Sequence, residues 1–170
     1  HPSKGYFSPY GNPQLKDGPE GEYLTDRLTD EVIRYISEPK EKPFFVYLSY
    51  YTVHLPLQAK AEKIAKYRRK LSRAVPADSS FVKKGETYHK LVQDIPAYAA
   101  MVESLDENIG RLLDTLHRSG LDERTIVVFT SDNGGMATSN TTRNIPTSNL
   151  PLRAGKGYLY EGGIKVPAII

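Results

Sequence analysis

The feature that most constrains the fold is an unbroken apolar run that ends in a polar, glycine-rich turn. Ile126-Val127-Val128-Phe129 is followed by Thr130 and then by Ser131-Asp132-Asn133-Gly134-Gly135. Such a run predicts a strand buried within a sheet. In open α/β sheets ligands collect at the carboxyl ends of strands, and a carboxylate beside a carboxamide, followed by two flexible glycines, suits a hard cation. An Asx turn that merely closes the strand explains the same residues, so the run alone leaves both interpretations open.

Helical and strand-like segments alternate along the rest of the chain. The spacing of apolar residues predicts amphipathic helices over 21–37 and 95–119, and a short basic helix is expected over 62–71. The aromatic and β-branched segment 43–51 predicts a strand buried on both faces, and 164–170 resembles a strand cut off in the middle. This alternation predicts an α/β fold in which helices flank a largely parallel sheet.

Three segments lack such periodicity. Residues 1–20 are polar and rich in Pro and Gly, which predicts an irregular arm, and 76–85 give no clear pattern. Residues 136–150 are rich in Thr, Ser and Asn, which predicts a flexible surface loop. We therefore expect a single domain over 1–170, with an irregular start and one flexible loop.

Composition excludes several classes of protein. The 170 residues carry a net charge of +3 and include no cysteine, so disulfides, thiolate metal sites and a cysteine nucleophile are absent from this stretch. No apolar run reaches the roughly 20 residues of a membrane helix, and no signal-peptide core is present. Basic residues crowd into 60–73, where a solvated helix face or attraction of an anionic substrate is favoured over a nucleic-acid surface. We expect neither a nucleic-acid partner nor a membrane span.

Three polar features follow the predicted strands. They are His54, the pair Asp132 and Asn133, and Lys156. A cation held by the oxygen ligands would neutralise an oxyanion, while the lysine and the histidine would engage its remaining oxygens. That combination suits hydrolysis of a sulfate or phosphate ester. Taken singly, His54 could equally be a surface histidine and Lys156 an ordinary loop charge, so only their combination favours a site.

Six stretches resemble, in order, those of one known family. They are Gly21–Asp30, Pro43–Leu48, His54–Pro56, Met101–Asp106, Thr130–Gly135 and Leu152–Pro167. The chain is similar to the middle and late part of the type I sulfatases (arylsulfatases), within the alkaline-phosphatase-like superfamily. The similarity covers nearly the whole chain and implies that superfamily's α/β fold in truncated form.

The resemblance implies a sulfuric ester hydrolase with a role for each matching residue. Asp132 and Asn133 match ligands of the family's single calcium ion. Lys156 matches the lysine that touches both the sulfate and the nucleophile, and His54 matches the histidine that contacts the sulfate and helps the leaving oxygen depart. The nucleophile of such enzymes is a formylglycine made from Cys or Ser in a C/S-x-P-x-R motif. The implied substrate is a sulfated small molecule or glycan.

The chain also departs from the family pattern. It has no C/S-x-P-x-R motif, because its only near-match, Ser37–Glu41, ends in Glu instead of Arg, and the paired aspartates of an early strand are missing too. Ala154 stands where the family often has glycine, and Lys165 where it often has arginine. We therefore expect an internal fragment of a longer parent protein. Alone, it should be inactive, bind calcium weakly and self-associate through exposed sheet edges.

Two alternatives remain open at this stage. One is a phosphomonoester, phosphodiester or phosphonate hydrolase of the same superfamily, although Asn133 beside Asp132 favours the sulfatases. The other is a non-catalytic module that binds sulfated glycans through the basic segment 60–73. The resemblance implies a periplasmic, secreted or lysosomal parent, while the chain itself carries no targeting signal.

Overall fold

The computed structural model describes three ranges of the chain: 5–74, 79–143 and 145–170. The chain divides into two compact units, of which the first extends to Arg68 and includes Pro96–Thr125, while the second comprises Arg69–Ile95 and Ile126–Ile170. The elements in chain order are α1 (Leu24–Ser37), α2 (Ala61–Leu71), β1 (Phe81–Lys84), β2 (Thr87–Lys90), α3 (Pro96–Arg118), a 3-10 turn (Asp122–Arg124), β3 (Phe129–Thr130), β4 (Thr138–Ser139), α4 (Glu161–Ile164) and β5 (Ala168–Ile169).

The three predicted helices, two from apolar periodicity and the short basic one, are confirmed as α1, α3 and α2, each within three residues of its predicted bounds. The end of α3 shows why the local sequence is enough to predict where a helix stops. Gly120 adopts a left-handed φ of 63°, its amide donates to the His117 carbonyl (3.0 Å), and the Leu121 amide donates to the Leu116 carbonyl (2.9 Å). This is the Schellman arrangement, which glycine enters without a steric penalty.

The core of the first unit includes the N-terminal arm. Tyr6 and Tyr10 are 0% and 1% exposed and belong to the same cluster as Tyr23, Leu24 and Met101. The arm is irregular, but its backbone is paired, because the Leu24 amide donates to the Tyr6 carbonyl at 2.8 Å. Tyrosines bury a large apolar ring and therefore anchor the arm, despite its Pro- and Gly-rich sequence.

The second unit contains all the strand pairs of the described residues. β1 and β2 form an antiparallel hairpin, β4 pairs with β2, and β3 pairs antiparallel with β5. The hairpin begins within the stretch 76–85, for which the sequence shows no clear pattern, and ends at Lys90. Residues 76–78 lie outside the described part. Gly85, with φ of 60°, opens its two-residue turn, as tight hairpins require.

The predicted combination of helices and strands is confirmed, but the predicted parallel pairing is not observed among the described residues. The segment 43–51 forms no paired strand there, and the expectation that it is buried on both faces is wrong: Phe45 and Tyr47 are 88% and 82% exposed. Ile126 is likewise 83% exposed, and only Phe129–Thr130 of its run pairs with another strand. These side chains have the residue types of a sheet interior without the neighbouring strands that would cover them. Self-association through such edges stays a prediction.

Several described residues of the segment 136–150 are buried. It contains β4, and Ala137, Thr138, Ile145 and Thr147 are at most 6% exposed. The side chain of Gln93 fixes its far end, accepting from the Thr147 hydroxyl at 2.9 Å and donating to the Ser148 carbonyl at 2.8 Å. Both ends of the segment are therefore packed and hydrogen-bonded, while its flexibility stays a prediction. Its composition is polar because much of its bonding uses side-chain amides and hydroxyls.

Across the described residues, no helix combines the length and the apolar character needed to cross a membrane.

Candidate active site

In the second unit, the turn after β3 is held by an interlocked pair of Gly-Gly sequences. The Gly134 amide donates to the Gly163 carbonyl at 2.9 Å. A Cβ on Gly134 would overlap the Gly162 carbonyl oxygen, so the two backbones touch where neither residue has a side chain. The sequence suggested that the glycines supply flexibility. The structure shows instead that they permit a close backbone approach.

The segment that carries Lys156 is fastened to the same turn. The Lys156 amide donates to the Gly135 carbonyl at 3.0 Å, and the Gly162 amide donates to the Arg153 carbonyl at 2.8 Å. Arg153 also places its guanidinium 3.5 Å from the centre of the Tyr160 ring. The backbone of Lys156, the predicted cation, is therefore bonded to the turn that begins with the predicted metal ligands. We call the residues 132–135 and 153–163 the clasp.

The predicted ligands, Asp132 and Asn133, are the first two residues of the clasp. Asp132 is exposed and Asn133 is half-buried. Within the described residues, the pair makes its one side chain-to-backbone hydrogen bond through the backbone carbonyl of Asn133, which accepts from the Ser131 hydroxyl at 2.9 Å. Their side-chain oxygens are therefore available to a hard cation, and a carboxylate with a carboxamide is a donor set that calcium accepts. Two such residues do not complete a shell of six to eight oxygens. No group of three or more His, Asp or Glu capable of holding a metal occurs in the described ranges.

His54 belongs to the first unit, where two other segments hold its turn. The His54 amide donates to the Tyr51 carbonyl at 2.9 Å. The buried Tyr6 hydroxyl lies 2.7 Å from that carbonyl oxygen and 2.9 Å from the His54 carbonyl oxygen, and can donate its proton to either. On the other side, the Thr25 and Thr52 hydroxyls of α1 and the turn are 2.5 Å apart. The imidazole is exposed, and its Nδ1 lies 3.0 Å from the Leu55 carbonyl oxygen.

The Tyr6 phenol is a structural donor, because its environment opposes ionisation. Burial raises its pKa, and proximity to Tyr23 raises it further, while the bond to the His54 carbonyl opposes that rise only in part. The pKa of Tyr23 is raised by burial to about 12. Both phenols therefore keep their protons across the ordinary pH range and hold the chain as hydrogen-bond donors.

Three residues of the basic segment 60–73 are engaged in ion pairs within the first unit. Lys60 lies 2.6 Å from Asp26, Lys63 contacts Glu107 and lies 3.0 Å from Glu103, and Lys66 lies 3.0 Å from Glu103. Burial tends to raise the pKa of Glu103, but hydrogen bonds from Lys66, Lys63 and Tyr67 outweigh it and lower the pKa to about 2. Lys63 and Lys66 therefore link α2 to α3, and Lys60, just before α2, is linked to α1. These ion pairs weigh against use of the three lysines as a surface for sulfated glycans.

Sequence reasoning missed two residues that shape these sites. Tyr6 was placed in an irregular arm, and Asn149 at the end of a flexible loop, although the amide of Asn149 reaches three backbone carbonyls of the clasp. The concentration of tyrosines in the first 23 residues was a usable signal, because an aromatic-rich arm has a reason to be buried. Nothing in the local sequence distinguishes Asn149 from a turn asparagine.

Comparisons with known proteins agree on one family. The family model described as Sulfatase matches residues 2–170. A sulfatase of Formosa agariphila is 36% identical over 93% of this chain and 26% of its own length. Mouse arylsulfatase J and mouse steryl-sulfatase are each 32% identical, covering 91% and 86% of this chain. They are matched over only 22% and 20% of their own lengths, so the chain spans about a quarter or less of these relatives.

A solved structure extends the similarity to the fold. It is the crystal structure of Ps i-CgsB in complex with k-i-k-neocarrahexaose, which matches with a TM-score of 0.66 and 33% sequence identity. The match covers 90% of this chain and 29% of the other. Nearly all of this sequence therefore has a counterpart within a much longer folded protein.

Proposed function

The chain belongs to the sulfatase family, and we propose that its parent protein hydrolyses sulfate esters at a site that includes the clasp. The family model supports the ester class. The structural observation that carries the proposal is the bond from the Lys156 amide to the Gly135 carbonyl, because it joins a cationic segment to a turn bearing two oxygen ligands. A phosphohydrolase of the same superfamily has no comparable support, since the relatives reported above are sulfatases.

We assign Asp132 and Asn133 to a calcium ion, with the remaining ligands supplied from outside this chain. The ion, when bound, neutralises negative charge on the sulfate oxygens. The ammonium of Lys156, which makes no ion pair within the described residues, adds a compact positive charge for the same oxygens. Because sulfate esters carry charge through the whole reaction, fixed cations that strengthen their hold in the transition state would speed hydrolysis.

His54 would handle the proton of the leaving oxygen. Donation from Nδ1 to the Leu55 carbonyl fixes the tautomer, so Nε2 is the nitrogen that would exchange the proton. The nucleophile is a formylglycine that lies outside this chain, as in the family. The 170 residues alone are therefore expected to be inactive and to bind calcium weakly.

A sulfated glycan or a sulfated small molecule is the expected substrate class. The solved neighbour was crystallised with k-i-k-neocarrahexaose, an oligosaccharide, which supports the glycan option. We further propose a periplasmic, secreted or lysosomal location for the parent.

The test measures hydrolysis of 4-nitrophenyl sulfate and 4-nitrophenyl phosphate by the intact parent protein. We expect turnover of the sulfate to exceed that of the phosphate. Lys156→Ala and His54→Ala should each lower kcat/KM for the sulfate by about 100-fold or more. Lys165→Ala, which removes an exposed lysine after α4, is the matched control and should leave kcat/KM within about twofold. Faster phosphate hydrolysis, or an unchanged rate in Lys156→Ala, would refute the assignment.

A further inference from the structure

The side chain of Asn149 is the point at which three backbone segments of the second unit meet. Its Nδ2 lies 2.8 Å from the Gly135 carbonyl oxygen, 2.9 Å from the Gly162 oxygen and 3.2 Å from the Ala154 oxygen. A carboxamide nitrogen has two hydrogens, so the three acceptors share two donors.

Each of the three carbonyls belongs to a different part of the clasp. Gly135 ends the turn that begins with the proposed calcium ligands, Ala154 precedes Lys156 by two residues, and Gly162 lies in α4. Gly135 also accepts from the Lys156 amide at 3.0 Å, so one carbonyl oxygen is bonded by both the Asn149 side chain and the lysine segment. Asn149 therefore contacts both halves of the clasp at once.

The surroundings of Asn149 accommodate little else. A Cβ on Gly135 would lie 2.8 Å from Oδ1 of Asn149, and a Cβ on Gly155 would lie 3.1 Å from its Nδ2. Gly135 and Gly155 thus leave room for the carboxamide of Asn149, just as Gly134 leaves room for the backbone of Gly162. Aspartate has the same shape but cannot donate and would direct negative charge at three carbonyl oxygens, while alanine would leave those oxygens short of a donor.

We propose that Asn149 is a positioning residue that holds the Asp132-Asn133 turn and the Lys156 segment in a fixed mutual geometry. The roles of Asp132, Asn133 and Lys156 in this geometry rest on the proposed function. Asn149 contacts none of their side chains and acts through the Gly135, Ala154 and Gly162 carbonyls. Groups that orient ligands in this indirect way commonly change metal affinity or activity by about 10- to 100-fold when they are removed.

The test compares Asn149→Asp and Asn149→Ala with unmodified parent protein, and Asn140→Asp is the matched control. Asn140 is an exposed asparagine of the same segment, and its side chain accepts from the Ser139 hydroxyl at 3.3 Å. Hydrogen exchange by mass spectrometry, in calcium-free buffer, is the first readout. We expect exchange to quicken by about tenfold in peptides covering 132–136 and 153–163, and to be unchanged in α1 and α3.

Calcium affinity is the second readout and is measured by calorimetric titration with calcium alone. Both Asn149 variants should bind the ion about tenfold more weakly, whereas Asn140→Asp should match the unmodified protein. Asn149→Asp keeps the volume of the side chain and serves if Asn149→Ala does not fold.

Two results would overturn the proposal. One is exchange and calcium affinity within twofold of the unmodified protein in both Asn149 variants. The other is faster exchange spread equally over α1 and α3, since that would reveal general destabilisation. The exchange readout does not use turnover, so a parent that fails to hydrolyse sulfate esters refutes the proposed function and leaves the positioning role to be judged by exchange.

Discussion

The hydroxyl of Tyr6 offers a sharp test of how the turn of His54 is held. Tyr6→Phe deletes one oxygen atom and leaves the ring, including its stacked contact with Tyr23 at a centroid distance of 5.8 Å. What is lost is the donor that lies 2.7 Å from the Tyr51 carbonyl oxygen and 2.9 Å from that of His54. Because Tyr6 is 0% exposed, water cannot readily replace that donor.

The expected cost follows from which bonds remain. Leaving a buried hydrogen-bonding group short of a partner costs about 1–3 kcal/mol. The Tyr51 carbonyl keeps its bond from the His54 amide (2.9 Å), so the loss should fall in the lower part of that range. We expect Tyr6→Phe to lower the free energy of unfolding of the first unit by about 1–2 kcal/mol.

Urea unfolding of the parent protein, followed by local hydrogen exchange in peptides covering 50–58, measures this cost. Tyr35→Phe is the matched control, because Tyr35 is 42% exposed and should change the free energy by less than about 0.5 kcal/mol. Equal stability of the two variants would refute the reasoning. So would a large loss in Tyr6→Phe with no faster exchange near His54, because the phenol would then stabilise some other region.

Three further outcomes are expected from urea unfolding of the parent protein. Gly134→Ala should destabilise it by about 3 kcal/mol or more, since the new Cβ would overlap the Gly162 carbonyl. Gly110→Ala in α3, where the space is open, should instead stabilise it by about 1 kcal/mol. Similar effects of the two substitutions would contradict the close contact between the two backbones. Ala154→Gly should stabilise it by about 0.5–1 kcal/mol, because Ala154 has a φ of 61° and glycine relieves left-handed strain at some cost in entropy. A loss of stability would contradict this, since it would show that packing of the Ala154 methyl group outweighs the strain. Glu103→Gln should be less stable than the unmodified protein at pH 7, and the difference should shrink as pH falls from about 4.5 toward 2. The folded-state pKa of Glu103 is lowered to about 2, so its contribution is complete above the unfolded pKa and is lost between the two values. A difference that does not depend on pH would argue against the ion pairs as its source.

Local sequence was sufficient for the helices. α1 and α3 follow from apolar residues repeated at the helical period, and α2 was expected as a short basic helix. Gly120 ends α3 because glycine enters the left-handed region without strain. The candidate residues Asp132, Asn133, Lys156 and His54 were also named from sequence, since their motifs are contiguous. Their roles stay predictions.

Local sequence was insufficient for the strands. Apolar character marked 43–51 and 126–129 as interior strands, but a strand exists only when a partner supplies hydrogen bonds. The pairs that do form are antiparallel, and one of them, β2 with β4, joins residues about fifty positions apart. Burial of the arm, through Tyr6 and Tyr10, likewise depends on partners distant in sequence.

The sequence by itself determined the family, the helices and the identity of the chemical groups, because periodicity and contiguous motifs are properties of neighbouring residues. Only the tertiary structure decided that Asn149 reaches Gly135, Ala154 and Gly162, and that the glycines serve close contact instead of flexibility. Hydrogen bonds and steric clearance are fixed within a few tenths of an ångström. Such distances are set by the packing of whole segments, which no single stretch of sequence specifies.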